Sequence, residues 1–547
     1  MKSTMSIPRW LILSFLALVF TWLNALKPLV IDDPVYYEFG RQFAAHPTAP
    51  YDFEFAPEVP ANNVLVPPVL PYWFAIAAAT VGTDVFVWKM WLLPWMLLFV
   101  FALDALYRRF TPGLELPLVV LTLFSPTFFP ALNMMLDIPA LTLGLTAFWT
   151  YLRSVERSEG GSGWGWIVLS GLIAGLGTQT KYTAFVPLAA IGLHALLFRQ
   201  LLRGFVVGLI AVTIFVGWEA FIVFRHGESH FLLSSRARPP KFLRKLNMIA
   251  PSIGIIGGLS PALMILDLRA LGIARRWWMG FLLAVTAGLV LLGTVPEAAA
   301  VYSYDSQSGN PLLTLKTILF GVLGVLACVL VLAVGWRLLR SSPAADQRTD
   351  LFLIGWLLLE VLGAFALSPF MATRRWMGSM FVGSLVAGRL LCRETALGER
   401  PRRALPAVLF SIALGTLLFV VDFVDALSEK HAVDWAVEQA RREGLRLQWY
   451  VGYRQTFYFY AVQAGLRPWD PARNRPEPGE WILRAYRADD KPLGMAELDS
   501  WPNFHADRSA TFGDRFPFKV QECYYAGASA IEHQEGPRVF ARLYRWD

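Results

Sequence analysis

Apolar segments of about 20 residues recur along the whole chain, and this recurrence limits the available folds more than any other feature. A helix of about this length crosses the hydrocarbon core of a bilayer. Only 16% of the 547 residues are charged and 55% are hydrophobic, with a mean hydropathy of +0.46. A soluble domain carries roughly 25% charged residues. The sequence therefore predicts a polytopic α-helical membrane protein.

The apolar segments divide the chain into about thirteen candidate spans. Inside lipid the backbone polar groups have no water to bind, so each span is expected to be a helix. The first, Trp10 to Val30, lacks an Ala-x-Ala cleavage pattern, so it is expected to remain in the membrane. The predicted spans are residues 10–30, 84–106, 115–132, 138–152, 164–180, 182–199, 204–224, 249–268, 277–299, 312–336, 351–369, 377–392 and 405–425.

The arginines between the spans indicate the orientation of the bundle. If the N-terminus is cytoplasmic, every even-numbered connection is cytoplasmic and carries at least two arginines, as the positive-inside rule requires. The odd number of spans then places the loop 31–83 and the tail outside. We therefore expect a protein of the bacterial inner membrane, with a membrane domain of residues 1–425 and an extracytoplasmic domain of residues 426–547.

The tail has the pattern of a small α/β domain. A helical stretch, DWAVEQARREGL, is followed by the strand-like LQWYV, the aromatic helix YRQTFYFYAVQAG and the strand-like EWILRAYRA. Alternating helices and strands favour a sheet covered by helices. Its aromatic residues are assigned to the core of this domain rather than to a carbohydrate-binding surface.

Two segments that fall outside by this count are unexpectedly basic. The loop 225–245 contains Arg236 and Arg238, and the turn SPFMATRRWMGS contains Arg374 and Arg375. Arginine forks bind phosphate oxygens in a bidentate manner, so a phosphate or pyrophosphate headgroup is the expected partner. The alternative is that one span has been miscounted and that these are ordinary cytoplasmic arginines.

The stretch IDDPVYYEFGRQ directly follows the first span and places two adjacent carboxylates at the membrane boundary. Asp33 before Pro34 predicts a helix start with Asp33 as its cap. Apolar residues every four positions, beginning with Val35, predict a short amphipathic helix in the interface plane, with Tyr36 elsewhere on it. Capping needs one carboxylate only, so Asp32 is a functional candidate.

Asp137, in LNMMLDIPAL, and Lys181, in GTQTKYTAF, add two further charged groups to the same predicted face. Asp137 alternatively caps the helix that follows it, and Lys181 alternatively extends its ammonium to the interface. With Asp32 and the arginine pair they form a constellation of carboxylates and cations. Transfer of a group from a phosphate leaving group requires such a combination.

These segments resemble polytopic GT-C glycosyltransferases that use polyprenyl-phosphate sugars, such as protein O-mannosyltransferases and the aminoarabinose transferases of lipid A. The matching motifs occur in family order: DDPVYYEFGRQ, VPPVLPYW, LNMMLDIPAL, GLIAGLGTQTKYTA and SPFMATRRWMG. They cover most of residues 10–395. The tail matches no pattern that indicates substrate choice.

The resemblance implies a role for each matched position. Asp32 takes the place of the family's essential first-loop aspartate, and Asp33 stands where glutamate is usual. Asp137 matches the second acidic position, so the implied catalytic carboxylates are Asp32, Asp33 and Asp137. Val66 replaces a lysine common in the aminoarabinose branch and speaks against that branch. Lys181 matches the family's Thr-Lys motif, and Arg374 or Arg375 matches its late arginine, although Trp376 stands where the family has tyrosine. With the arginines of the basic loop, the predicted substrate-binding residues are Tyr36, Lys181, Tyr182, Arg236, Arg238, Arg374 and Arg375.

The function expected from these residues is transfer of a sugar from a polyprenyl-phosphate donor to a hydroxyl of a lipid, glycan or protein acceptor outside the membrane. No cofactor and no nucleic-acid partner is expected, since the cysteines and histidines are scattered and no phosphate-binding Gly-rich loop occurs. A divalent ion that bridges Asp32 and Asp137 is an alternative that no residue pattern in the sequence supports.

Two other classes of protein stay open at the sequence level. A transporter or flippase of lipid-linked sugars is favoured by Glu360 within a span, but no internal repeat or pair of interrupted spans supports it. A non-catalytic subunit of an envelope complex is the other alternative.

Overall fold

The protein is described from a computed structural model. The described residues are 7–30, 32–56, 59–64, 66–157, 163–237, 248–272, 276–277, 279–280, 283, 287, 315–341, 343–368, 371–451, 455–470, 475–487, 504–513, 518–519, 532–533 and 536–547. The predicted span 277–299 falls almost entirely outside them.

Within these ranges the chain is predominantly helical. The helices are α1 (Arg9–Ala25), α2 (Asp33–Ala45), α3 (Val69–Val81), α4 (Val85–Met90), α5 (Leu93–Phe110), α6 (Glu115–Leu123), α7 (Asp137–Glu156), α8 (Trp164–Thr178), α9 (Phe185–Leu197), α10 (Leu201–His226), α11 (His230–Ala237), α12 (Ile249–Leu259), α13 (Pro261–Leu271), α14 (Leu315–Ser341), α15 (Ala344–Leu367), α16 (Met377–Glu394), α17 (Arg400–Glu443) and α18 (Gln455–Gln463).

The prediction of a helical protein with several membrane spans is confirmed. Five helices of the described chain are long and apolar enough to cross a membrane, counting α4 and α5 as one continuous span. A sixth span results if α12 and α13, which are bent by 73° at their junction, are counted together. The bend falls at Ser260–Pro261, where proline cannot continue the hydrogen-bond ladder of the preceding helix. The predicted single helix over 249–268 is therefore two helices, α12 and α13.

The predicted span 115–132 is helical only in its first half. Helix α6 ends at Leu123, and residues 124–136 form a buried succession of turns that includes Pro126 and Pro130. Irregular backbone at membrane depth is tolerated where protein surrounds it and satisfies its polar groups. Here Lys27 Nζ donates to the carbonyl of Pro130 at 3.0 Å, and the ring of Phe129 stacks on Phe419.

The loop 31–83, which we call the first outer loop after its predicted side of the membrane, is folded. It contains α2, α3, a 3₁₀ turn at Ala61–Val64 and a short antiparallel hairpin of β1 (Glu54–Ala56) and β2 (Val59–Pro60). The predicted helix after Asp33 is confirmed. Its apolar residues Val35, Phe39 and Phe43 are buried against Tyr51 and other residues of the loop, so the expectation that they face the membrane interface was wrong.

The strands and helices predicted in the tail are present, and the strands form a five-stranded mixed sheet. Its strands are β3 (Arg446–Val451), β4 (Arg467–Pro468), β5 (Glu480–Arg487), β6 (Phe504–Phe512) and β9 (Val539–Trp546), in the order β4-β3-β5-β9-β6. β3 is parallel to β4 and β5, whereas β9 is antiparallel to β5 and β6. A separate two-stranded ribbon joins β7 (Phe518–Lys519) and β8 (Glu532–His533).

Helix α17 connects the bundle to this sheet. Its 44 residues extend roughly 66 Å, about twice the thickness of a hydrocarbon core. The helix ends where Gly444 takes a positive φ of 66°, a conformation that costs glycine little.

The C-terminal sheet packs directly on the first outer loop. One hydrophobic cluster combines Tyr37 and Trp88 with Val433 and Leu483 of the tail. The rings of Tyr37 and Phe459 lie 5.0 Å apart. The chain just before Asp32 is held as well, because the Leu29 N–H donates to the Tyr460 hydroxyl at 2.8 Å.

Candidate active site

Asp32 lies at the junction of α1 and α2, where the chain leaves the bundle. It occupies the N-cap position of α2, but its side chain accepts no capping hydrogen bond from the helix. The carboxylate is 39% exposed, and its Oδ2 lies 3.4 Å from Nη1 of Arg374. Asp32 is therefore accessible to a ligand and stands beside a guanidinium that is 342 residues away in the chain.

Asp137 and Lys181 form an ion pair close to this junction. Asp137 is the first residue of α7, and Lys181 precedes the 3₁₀ turn Tyr182–Ala184. Both side chains are mostly buried, with 8% and 13% exposed. The partner of the Asp137 carboxylate is thus Lys181, and neither simple capping nor extension of the lysine to open water describes the pair.

Arg374 and Arg375 approach from a fourth segment, the 3₁₀ turn Thr373–Trp376 that leads into α16. The Arg374 Nη1 also donates to Met135 Sδ at 3.0 Å, just before Asp137. The positive charges of both guanidiniums attract the Asp137 carboxylate and repel the Lys181 ammonium. The two arginines are adjacent in this turn, so both stand at the N-terminal end of α16.

The charges of this group shift one another's pKa values. Burial raises the pKa of Asp137, but Lys181 and the two arginines outweigh it and hold that pKa below its usual value. Burial, with repulsion from Arg375, lowers the pKa of Lys181 to about 7. Burial and the negative charge of Asp32 raise the pKa of Tyr36 well above its usual value.

We refer to Asp32, Tyr36, Asp137, Lys181, Arg374 and Arg375 as the acidic–basic cluster. Its two carboxylates and three cations leave one net positive charge when all five are ionised. Such a balance favours a singly charged anion, which would restore neutrality in a partly buried place. Residues far apart in sequence thus meet at one end of the bundle.

Asp33 has a different environment from its neighbour, and its predicted role as a helix cap was wrong. It is the first residue of α2, is completely buried and lies 3.4 Å from Nζ of Lys89. Its Oδ2 accepts from the N–H of Val30, upstream of the helix, at 3.3 Å. Burial raises its pKa, opposed chiefly by Lys89. Asp33 supports the junction and does not face the accessible side of the cluster.

A buried network of two lysines and two aspartates lies behind the cluster, and it was not identified from the sequence. Lys27 pairs with Asp422 at 2.6 Å, and Lys89 donates to the carbonyls of Lys27 and Pro28 at 2.8 and 2.9 Å. Asp33 completes the set. The signal was present, because Lys27, Lys89 and Asp422 each interrupt a predicted span, where ionisable residues are functional or structural candidates by default.

The remaining predicted residues lie differently. Arg236 is exposed on α11, and its ion-pair partner is Glu228 at 2.6 Å rather than a member of the cluster. Arg238 lies outside the described residues. Tyr182 packs edge-on against Phe231 at 5.2 Å. Glu360, the residue that favoured a transporter, is buried and accepts a hydrogen bond from Trp356 at 3.0 Å.

Within the described ranges, no group of three or more histidine, cysteine, aspartate or glutamate side chains is arranged to hold a metal ion.

Comparison with known proteins gives structural likeness only. No protein-family model and no curated protein matches the chain. The chain is similar to ArnT from Cupriavidus metallidurans bound to undecaprenyl phosphate, with 15% identity, a TM-score of 0.45 and 98% of each chain covered. It is also similar to the oligosaccharyltransferase AglB from Archaeoglobus fulgidus in complex with an inhibitory peptide and a dolichol-phosphate, with 13% identity and a TM-score of 0.48.

That second similarity covers 84% of this chain and 64% of the oligosaccharyltransferase. Both structures hold a polyprenyl-type phosphate, the ligand class of the proteins that the sequence motifs resemble.

Proposed function

We propose that the protein is a glycosyltransferase that moves a sugar from a polyprenyl-phosphate donor to an acceptor hydroxyl on the extracytoplasmic face of the membrane. The observation that carries the proposal is the convergence of Asp32, Asp137, Lys181, Arg374 and Arg375 at one end of the bundle. A membrane-embedded donor reaches such a site from the bilayer while its phosphate stays at the boundary.

The cations of the cluster suit the change of charge at the donor phosphate. In the donor this phosphate is a diester with one negative charge, and as the sugar–oxygen bond breaks it becomes a monoester with two. Groups that meet developing charge lower the barrier more than groups that bind substrate and transition state equally. Arg374 and Arg375 are assigned to this leaving phosphate, because guanidinium forks match its oxygens.

Asp32 is assigned as the base. The acceptor oxygen bonds to the anomeric carbon, its proton passes to the Asp32 carboxylate, and the bonding electrons of the broken sugar–oxygen bond leave with the prenyl phosphate. Of the three predicted catalytic carboxylates, Asp32 is the most exposed, at 39%, which supports this choice. Its long 3.4 Å contact with Arg374 leaves it able to exchange that partner for an acceptor.

Asp137 and Lys181 are assigned as a positioning pair for the donor. Lys181 contributes a charge that binds the phosphate, and Asp137 holds the ammonium in place and keeps it protonated more often than burial alone would allow. Tyr36, one helical turn after Asp32, presents its ring to the same cluster and is assigned to the acceptor or the sugar.

The two predicted domains have different roles in this proposal. Residues 1–425 bind the donor and carry the chemistry, and Tyr182 and Arg236 are assigned to contact the donor outside the cluster. Residues 426–547 lie on the outer side of a bacterial inner membrane, where they cover the first outer loop and contact the acceptor. The acceptor is a lipid, a glycan or a protein.

The test is donor cleavage by the purified full-length protein. Polyprenyl phosphates carrying different hexoses or pentoses are incubated with the protein and with a membrane extract as the source of acceptor, and released polyprenyl phosphate is measured by mass spectrometry. We expect release from at least one donor that depends on the extract. Failure of every donor to be consumed, together with movement of intact donor across proteoliposome membranes, would establish a flippase instead.

A further inference from the structure

A cleft of about 420 Å³ opens between α5 and α7 at the end of the bundle opposite the acidic–basic cluster. Asp137 begins α7 and Glu156 ends it, so the charged rim at Glu156 lies roughly 30 Å from Asp137 along the helix, and the deepest lining residue of α7, Thr146, lies about 14 Å from it. The volume is that of a small-ligand pocket. The cleft therefore takes no part in the chemistry proposed above.

The rim of the cleft is charged. Its charged residues are three arginines and two carboxylates, Arg108, Arg109, Arg153, Asp104 and Glu156. Asp104 is nearly buried and pairs with Arg9 as well as with Arg108, whereas Glu156 pairs with Arg109 and Arg153. Arg9 also contacts Glu115 at 3.6 Å, so four arginines stand against three carboxylates, which leaves one net positive charge. The guanidiniums of Arg108, Arg109 and Arg153 are about a third or more exposed on the rim.

The walls below this rim are apolar. Leu98 and Phe101 of α5 are 38% and 39% exposed, and Trp149 and Leu152 of α7 face the same cleft. The Arg153 guanidinium lies 5.5 Å above the Trp149 ring. A tryptophan beneath an arginine is typical of the level at which lipid headgroups meet acyl chains.

We propose that this cleft binds one anionic phospholipid of the leaflet on that side of the membrane. The lipid phosphate contacts Arg108, Arg109 and Arg153, and the first part of an acyl chain lies along Leu98 and Phe101. The net positive rim selects an anionic over a zwitterionic headgroup, and the apolar walls select a lipid over a soluble phosphate. This inference does not depend on the proposed glycosyltransferase activity.

The experiment measures lipid binding to the full-length protein in detergent by native mass spectrometry, with phosphatidylglycerol or phosphatidylcholine added. We expect the tightest site to prefer phosphatidylglycerol. In R109Q/R153Q its affinity for phosphatidylglycerol should fall about tenfold or more, the effect of losing charge-assisted contacts. R402Q/R403Q removes two arginines from the start of α17, outside the cleft, and should change the affinity less than twofold.

A second variant tests the cleft itself rather than its charge. Ala105→Trp fills the space beside the lining residue Ala105 and leaves every charge in place, so it should also weaken phosphatidylglycerol binding about tenfold. Equal losses in R109Q/R153Q and R402Q/R403Q would show diffuse charge attraction and overturn the proposal. Undiminished binding in Ala105→Trp, equal binding of phosphatidylcholine, or displacement of the lipid by millimolar glycerol phosphate would overturn it too.

Discussion

The side chain of Asp32 is 39% exposed, whereas that of its neighbour Asp33 is completely buried beside Lys89. The two carboxylates share a helix start but differ in the charges that face them. Asp32 Oδ2 lies 3.4 Å from Arg374 Nη1, at the accessible side of the acidic–basic cluster. At the residue scale, the roles of the two carboxylates differ because different cations stand beside them.

The arginine pair is expected to determine donor affinity and turnover. Replacing both in R374Q/R375Q should raise the donor KM about tenfold or more and lower kcat as well, because contacts to the leaving phosphate strengthen as its charge grows. Steady-state kinetics with varied donor measure both constants. R402Q/R403Q is the matched control at the other end of the bundle, and equal kinetics in the two double variants would contradict the assignment.

Lys181 is expected to give the enzyme a characteristic pH dependence. Its pKa of about 7 means that the ammonium is charged below that pH and neutral above it. Since the charged form binds the donor phosphate, kcat/KM for the donor should fall as the pH rises through about 7. Arginine stays charged throughout, so Lys181→Arg should lack this fall. A fall at the same pH in Lys181→Arg would assign it to another group.

At the scale of elements, the site is assembled by the ends of helices and held from behind by the buried lysine–aspartate network. Lys89 on α4 contacts the end of α1 through two backbone carbonyls and the start of α2 through Asp33. Lys27, after α1, contacts Asp422 of α17 and the irregular segment 124–136. The network thus fixes the junction that carries Asp32 and the segment that ends at Asp137.

Breaking one buried ion pair of this network should cost stability rather than chemistry. In Asp33→Asn the buried Lys89 loses its carboxylate, which typically costs about 3–5 kcal/mol. Removing both charges in D33N/K89M should restore part of this loss. Thermal unfolding in detergent measures the order of the variants. Glu38→Gln, at a partly exposed pair with Arg41, should remain near the wild-type midpoint. A double variant less stable than either single variant would contradict the pairing.

The sequence predicted the parts of this site that depend on local pattern. The Asp-Pro start of α2, the turn before α16 and the strand and helix signals of the tail all lie where their local residues indicate. The partner of Asp33 could not be predicted, because Lys89 is 56 positions further along the chain and the choice between capping and pairing depends on packing. The break after Leu123 was missed although Pro126 and Pro130 signal it, because the phenylalanines around them extend the apolar segment to the length of a membrane helix.

At the scale of the whole molecule, the helices alternate so that one end of the bundle holds the acidic–basic cluster and the other holds most of the arginine pairs. Arg9 with Asp104, Arg109 with Glu156 and Arg393 with Asp350 lie at helix ends remote from the cluster. The long helix α17 carries the C-terminal sheet to the cluster side, where Tyr460 contacts Leu29. Which end is cytoplasmic follows from the positive-inside rule alone.

The orientation predicts where a reporter fused to the chain is active. Green fluorescent protein, which is fluorescent only when folded in the cytoplasm, should stay dark when fused after Asp547. The same reporter fused after Pro343, in an arginine-rich connection, should be bright. Bright fluorescence from the Asp547 fusion would place the cluster on the cytoplasmic face and contradict the assignment of the donor.

Turnover of Asp32→Asn tests directly whether Asp32 is the base. The amide keeps the size of the side chain but accepts no proton, and a general base typically contributes about 10²–10⁴-fold. Purified Asp32→Asn should unfold at the wild-type temperature yet release polyprenyl phosphate at least about a hundredfold more slowly. Asp33→Asn, assayed below its unfolding temperature, should retain a substantial part of the activity. Near-normal release by Asp32→Asn would contradict the role of Asp32 as the base.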